Sequence, residues 1–345
     1  MKLLFPGICS LVHLLVLPVL LAAADMPNVL FIVCDDLNTH VTTSDYPYIK
    51  TPAFDELAME GIVFKRAYCQ YPVCGPSRAS FLSGLYPEST GILNNSDDIR
   101  DVRPGTPSMP QVFKEQGYWT AATGKVFHNP KIDPGEEAWH EKTFFENDEM
   151  PIERKARKEF EEQYGSIEDR QNRSRWREFL LKYAPQTMNQ TPGWGPSGLI
   201  DEQHRDGKNA KQVIDWVENR RFGDKPFFIA LGIHKPHVPF LAPDKYFDLY
   251  PKESLQFVNP PSNFWDTVPK TAISKRYEGF GFELGEENDD LRREYMQAYH
   301  ACISFIDAQI GSVLQELKDT GLWEKTIIVL TSDHGYQLGE HFMWG

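Results

Sequence analysis

Four apolar runs in this chain stop abruptly in ionisable residues. Residues 28–36 (NVLFIVCDD) end in two acids, and residues 226–234 (PFFIALGIH) run into His234. Residues 325–335 (KTIIVLTSDHG) carry Asp333-His334 at their end, and residues 118–123 (YWTAAT) lead into Gly124-Lys125 with His128 behind them. Continuous apolar runs of this length, without polar alternation, mark strands buried on both faces, as in a parallel sheet. Helical segments lie between them. One starts at Thr51-Pro52, with a capping residue and a proline in the right order, and ends at Gly61. Others cover 109–116 with Gly117 as cap, 209–220, and 291–318, and residues 62–68 (IVFKRAY) give a further strand candidate. The alternation predicts an α/β fold: a doubly wound, mostly parallel sheet flanked by helices. Ligands of such sheets bind outside the carboxyl ends of the strands, so the four polar ends point to one convergent site.

Composition sets the limits. With 345 residues and 41% hydrophobic content, the chain can bury one large core or one and a half. A net charge of -13 argues against nucleic acid as a partner, while leaving room for a locally positive pocket. Lys2, the apolar run 11–21 and Ala22-Ala23-Ala24 read as a signal peptide over residues 1–24, leaving 25–345 as the exported part. That run is short for a span, and no later stretch is long enough, so no membrane span is expected after cleavage. Cys34 and Cys302 read as buried small hydrophobes, and Cys69 has no evident partner. Residues 129–207 form a charged, loop-rich insertion with a surface helix, and 240–288 are loop-rich as well.

Asp35, Asp36 and Asp333 would repel one another in one pocket unless a hard divalent ion such as Ca²⁺ or Mg²⁺ lay between them, with His334 as a nitrogen ligand. On the residues alone they serve equally well as loop caps. Pro76-Ser77-Arg78 reads as the first turn of a helix, which sets Cys74 at its positive end, where a thiol is acidified and reactive.

The stretch CGPSRASFLSGLYP (74–87) resembles the signature of the type I sulfatases, of the alkaline-phosphatase-like superfamily. The Asp-Asp strand end, TGKVFH (123–128), GIHKPHVPF (232–240) and TSDHGYQLGEH (331–341) follow in the family's order, and these motifs are most similar to the iduronate-2-sulfatase branch. The resemblance covers residues 27–345 and is weakest in the insertion. It implies that a formylglycine-generating or equivalent sulfatase-maturing enzyme oxidises Cys74 to formylglycine. One hydroxyl of the hydrated aldehyde would attack the sulfur of a sulfate ester, and loss of a proton from the second would expel sulfate. It also implies one Ca²⁺ ion, in preference to Mg²⁺, on Asp35, Asp36, Asp333, His334 and the position-74 oxygen. Arg78 would hold the hydrate, Lys125 would bind sulfate, His128 would take the second hydroxyl's proton, and His234 would contact the sulfate or protonate the leaving oxygen.

The implied substrate is a sulfated carbohydrate, such as a 2-O-sulfated uronic acid of a glycosaminoglycan or other sulfated polysaccharide. The alternatives are a phosphonate or phosphate ester hydrolase of the same superfamily, and an inactive secreted carbohydrate-binding relative. Periplasm or external medium would be the location, or the lysosome for a eukaryotic source. His237 is read as structural or substrate-facing, and His300 as a satisfied helix residue. The family's next active-site lysine and its C-terminal subdomain would fall beyond residue 345. The expectation is therefore a truncated N-terminal catalytic domain whose last strand, 327–330, sits inside the sheet and lacks its cover.

Overall fold

The computed structural model describes residues 26–146, 148, 151–167, 169, 171–183, 193–256, 261, 263–269, 289–340 and 343. The signal peptide expected at 1–24 lies outside them. Seven strands are present among these residues: β1 (Asn28–Asp35), β2 (Trp119–Gly124), β3 (Glu141–Thr143), β4 (Trp194–Pro196), β5 (Phe227–Pro236), β6 (Phe240–Ala242) and β7 (Thr326–Ser332). Five form one sheet in the order β3-β2-β5-β1-β7, every pair parallel, and β4 pairs with β6 in a separate two-stranded ribbon. The doubly wound architecture expected from the apolar runs is the one observed.

β1 is buried at all eight positions because it has helices on both sides. Leu30, Ile32 and Cys34 join Ile229, Leu231 and Ile233 of β5 in the larger core, and Val29, Phe31 and Val33 join Phe228 and Ala230 in the smaller one. Alternation along a strand sends successive side chains to opposite faces, so a strand with cover on both faces needs an unbroken apolar run. The larger core is roofed by α6 (Arg205–Glu218), through Ala210, Val213, Trp216 and Val217, and by the 31-residue α7 (Asp289–Asp319). On the other face lie Leu82 and Phe81 of α2 (Cys74–Ser83) and Phe113 of α3 (Met109–Glu115). Each Leu or Ile buried in these layers contributes roughly 1.5–3 kcal/mol.

Within the insertion, α4 (Pro151–Tyr164) and α5 (Arg173–Tyr183) pack on each other through Ala156, Leu180 and the Phe160–Trp176 ring contact, so among its described residues the charged segment carries a pair of α-helices with a small core of their own. The sequence suggested one.

Two of three expectations about these elements need correction. Residues 62–68 are not a strand: they pair with no other strand among the described residues, and Ile62, Phe64 and Tyr68 stand exposed. β7 stands at the edge of the sheet among the described residues, with the exposed apolar edge expected of a last strand without its cover, and leaves Ile327 51% and Val329 40% exposed. Thr51 does not cap α1 (Pro52–Glu60); its hydroxyl meets that of Thr42 at 2.6 Å. Asp307 of α7 accepts the free amides of Ala53 and Phe54 instead, at 3.1 and 2.9 Å. A carboxylate at a helix N-terminus satisfies those donors and the helix dipole together, whichever segment supplies it.

Candidate active site

The sheet delivers its chemistry at one end. Asp35 closes β1, and the chain then reverses through Asp36, held at φ 64°. Such a left-handed conformation is unusual outside glycine and is tolerated best by Asp and Asn. Asp333 follows β7, and its amide donates to the Cys34 carbonyl at 3.1 Å, which aligns the two strand ends. The Oδ1 atom of Asp333 accepts the Asp36 amide at 3.1 Å and the His334 amide at 2.9 Å.

Arg78 ties these carboxylates to α2. It is 1% exposed; Nε donates to Asp333 Oδ2 at 2.9 Å and one terminal nitrogen to Asp35 Oδ1 at 3.1 Å. Its other terminal nitrogen donates to the carbonyls of Lys125 and Val126, so each of the guanidinium's three nitrogens has a partner. The Lys125 ammonium donates to Asp35 Oδ2. Burial opposes ionisation of Asp35, yet Arg78 and Lys125 outweigh it and hold the carboxyl well below the usual range. Asp36 has no such partner, and burial together with Asp35 and Asp333 pushes its carboxyl well above that range.

Cys74 is the first residue of α2, with Val73 as N-cap. Its Sγ lies 3.1 Å from His334 Nε2. The His334 ring donates through Nδ1 to the Gly335 carbonyl at 2.8 Å, which orients Nε2 toward the pocket. Nε2 is also 3.3 Å from Asp36 Oδ1. The helix start was expected to acidify the thiol. It does not: burial, followed by the charge of Asp35, raises it far above the ordinary thiol value. A residue surrounded by carboxylates is a poor thiolate, whatever its helix dipole.

Donor atoms of Asp35, Cys74, Asp333 and His334 lie within 4.8 Å of one another, and Asp36 adjoins them through His334. Three carboxylates, one imidazole and the position-74 atom form an oxygen-rich set suited to a hard divalent cation. The charge conflict at Asp36 is the kind such a cation removes, so the residues fit the ion that the sequence implies.

His234, at the end of β5, sets its Nδ1 3.8 Å from Asp35 Oδ2, and that nitrogen is buried with no hydrogen-bond partner among the described residues. Burial, then Lys235 and Arg205, hold the imidazole neutral, well below its ordinary value. His237 offers a ligand atom in the same group as Asp35 and His234. His128 stands further off, in a hollow that it shares with Gly75, Arg78 and Phe127 on the flank of α2. Its Nδ1 is buried and unpartnered among the described residues, and burial with Lys125 and Arg78 pushes its pKa down to about 4. The predicted residues thus form a tight cluster of Asp35, Asp36, Cys74, Arg78, Lys125, Asp333 and His334, with His234 beside it and His128 on its flank.

Two supporting residues escape a reading of the sequence. Tyr299 of α7 donates to the Asp36 carbonyl at 2.6 Å and accepts the Asn38 amide at 2.9 Å. Asp206 accepts amides at the end of β5. Neither lies in a motif. Asp206 precedes Asn209, where the apolar periodicity of its helix becomes visible, although the helix begins at Arg205.

The profile of the family described as Sulfatase matches residues 27–344. A sulfatase of Formosa agariphila is 34% identical over 93% of this chain and 62% of its own length. The human iduronate 2-sulfatase is 32% identical over 94% of this chain and 57% of its own. The phosphonate monoester hydrolase of Agrobacterium radiobacter superposes with a TM-score of 0.65 at 19% identity, over 92% of this chain and 64% of that one, a likeness of fold. The chain therefore spans about three fifths of the length of the curated relatives it matches. With its site residues gathered at the sheet end and the family profile spanning nearly all of it, the chain belongs to the sulfatase family.

Proposed function

We propose that the protein is a sulfuric ester hydrolase acting on a sulfated sugar, similar in preference to iduronate 2-sulfatase, after conversion of Cys74 to formylglycine by a sulfatase-maturing enzyme. The observation that carries this reading is the gathering of Asp35, Cys74, Asp333 and His334 around one point, with Arg78 and Lys125 as the adjoining cations. The residue formed at position 74 would supply, as its hydrate, one hydroxyl to attack sulfur and a second whose deprotonation releases sulfate. Asp35, Asp36, Asp333 and His334 would hold a calcium ion, which polarises the sulfate and favours the ionised nucleophile.

The chain's own groups divide the remaining work. Arg78 fixes Asp35 and Asp333 in place and puts positive charge next to position 74. Lys125, paired with Asp35, would bind an anionic sulfate oxygen. Neutral His128 can take a proton, and His234, whose Nδ1 lacks a partner among the described residues, would contact a sulfate oxygen, or protonate the leaving oxygen once it has itself gained a proton. The leader at 1–24 supports export to the periplasm, the medium or a lysosome. Among the described residues no helix is long and apolar enough to cross a membrane.

The test pairs two measurements on protein co-expressed with a maturing enzyme. Peptide mass spectrometry should find the aldehyde at position 74, and a calcium-dependent turnover of aryl sulfate should exceed that of the matched phosphate ester. A persistent thiol would turn the reading to a binding protein, and faster phosphate hydrolysis to a phosphonate or phosphate ester hydrolase.

A further inference from the structure

We infer that Asp206 and Asn209, near the start of α6, are positioning residues that set the separation of Lys125 and His234; the inference rests on the roles proposed above for those two groups. Asp206 Oδ1 accepts the His234 amide and Oδ2 the Lys235 amide, both at 2.8 Å. Asn209 Nδ2 donates to Asp206 Oδ1 at 3.2 Å, and Asn209 Oδ1 accepts the Thr123 hydroxyl at 2.8 Å. One helix end thus holds the outlets of both strands: β5, which carries His234 near its end, and β2, which leads into Lys125. Asp206, Asn209 and Thr123 are each no more than 1% exposed.

The need for this clamp follows from the sheet. β5 pairs with β1 up to Cys34↔Ile233 and then slips, so that Asp35 faces Pro236. Its pairing with β2 ends at Gly124↔Gly232. The amides of His234 and Lys235 have therefore left the regular ladder inside the core, where an orphan donor costs about 1–3 kcal/mol. Asp206 supplies one oxygen to each. Just before this point the strands pinch: a Cβ on Gly232 would lie 2.2 Å from the Lys125 carbonyl carbon, and one on Gly124 would lie 1.9 Å from the Gly232 oxygen. Beyond the pinch, Lys125 and His234 turn toward the same oxygen of Asp35.

The start of α6 is itself fixed from the insertion. Ser197 Oγ meets His204 Nε2 at 2.7 Å, His204 Nδ1 meets Asp148 Oδ2 at 3.1 Å, and Asp148 Oδ1 accepts the Arg205 amide at 2.9 Å. These three have the spacing of a nucleophilic triad, but Ser197 and His204 are 0% exposed, so no substrate reaches them. They act as a brace behind Asp206.

The experiment uses Asp206→Asn, which turns an amide NH₂ toward one of the two backbone donors. Hydrogen exchange at the His234 and Lys235 amides should quicken at least tenfold, while that of β1 stays as in the wild type. With matured enzyme, kcat for a sulfate ester should fall by about 10²-fold, the scale of a misplacement of about 1 Å, with KM changed far less. The double variant with His234→Ala should be no slower than His234→Ala alone, because Asp206 acts through that residue. Unchanged exchange at 234–235, or losses that multiply in the double variant, would overturn the inference. If Asp206→Asn does not fold, Thr123→Val removes the Asn209 link alone and should quicken exchange at Lys125; no change there counts against the clamp. A wild type without sulfate-ester turnover would sink the functional reading, while the exchange arm would still decide the positioning.

Discussion

Tyr299 and Asp36, 263 positions apart in the chain, share a 2.6 Å hydrogen bond from the phenol to the carbonyl of a residue in left-handed conformation. The same hydroxyl accepts the Asn38 amide, so one side chain of α7 secures both limbs of the turn that presents Asp36. Tyr299→Phe keeps the ring and removes both bonds. Leaving the buried donor and acceptor unmatched should cost about 1–3 kcal/mol by urea denaturation. Calcium affinity, measured by titration calorimetry, should weaken by about 10–100-fold, as for other groups that orient a ligand. Unchanged calcium affinity would remove Tyr299 from any role at the site.

Arg78 bridges Asp35 and Asp333 inside the protein. Arg78→Ala leaves both carboxylates buried with one cation fewer, and breaking a buried pair in this way costs about 3–5 kcal/mol. Arg78→Lys should recover little, because a single ammonium cannot reproduce three nitrogens directed at two carboxylates and two carbonyls. Thermal melts should show both variants well below wild type, with added calcium recovering part of the loss by neutralising the same acids. A lysine variant melting within a degree or two of wild type would contradict the geometry.

The strands and the site residues were legible for one reason and their supports illegible for another. An apolar run that ends in Asp35-Asp36 records burial and a polar strand end side by side, and the C-G-P-S-R stretch is legible through its resemblance to the sulfatase signature. Asp307 over α1, Tyr299 under Asp36 and Asp206 under His234 are contacts between distant segments; each looks like an ordinary residue in its own helix. The failure at 62–68 has the same origin. A strand exists only with a partner to pair with, and β propensity does not say whether one is within reach. The error over the Cys74 thiol is also one of context, since a local dipole was set against burial first and then the charge of Asp35 at the end of β1.

Asp307 supplies a pH dependence remote from the site. Burial raises its pKa to about 6, against backbone bonds from Phe54 and Ala53 that lower it. A carboxyl whose folded pKa exceeds its unfolded value adds stability below about pH 4, and that contribution is lost as the pH rises through 6. The span of the effect is about 3 kcal/mol at most, for a shift of roughly two units. Denaturation of wild type and Asp307→Asn at pH 4, 5, 6 and 7 should show the wild type losing stability relative to the variant as pH increases. A constant difference across this range would show that Asp307 is already ionised at pH 4.

His128 is held to a pKa of about 4 by burial and by the charges of Lys125 and Arg78. It is therefore a neutral, proton-accepting imidazole through pH 5–7, where an unperturbed histidine would be half protonated near 6.5. The acid limb of kcat/KM reports groups of the free enzyme, so any limb due to His128 should lie below pH 5. Lys125→Met removes one of the two cations that depress it, and the limb should then move upward even as the rate falls. A limb near 6.5 in the wild type, abolished by His128→Gln, would show that the imidazole titrates in an ordinary environment.

The edge of β7 yields the last expectation. Ile327 and Val329 are exposed side by side on a strand whose outer backbone edge pairs with nothing among the described residues. Exposed apolar edges recruit other strands, and natural proteins blunt them with charge, most often lysine. Val329→Lys should therefore lower self-association of this 345-residue polypeptide at micromolar concentration, as read by light scattering and sedimentation. Its melting temperature should stay close to that of the parent, because Val329 is 40% exposed and gives up little burial. Ile32→Lys in β1, one residue beyond Phe31, which is the partner of Val329, is the contrasting case: that side chain is 0% exposed and the substitution should abolish folding. Equal tolerance of the two lysines would mean that β7 is covered in solution.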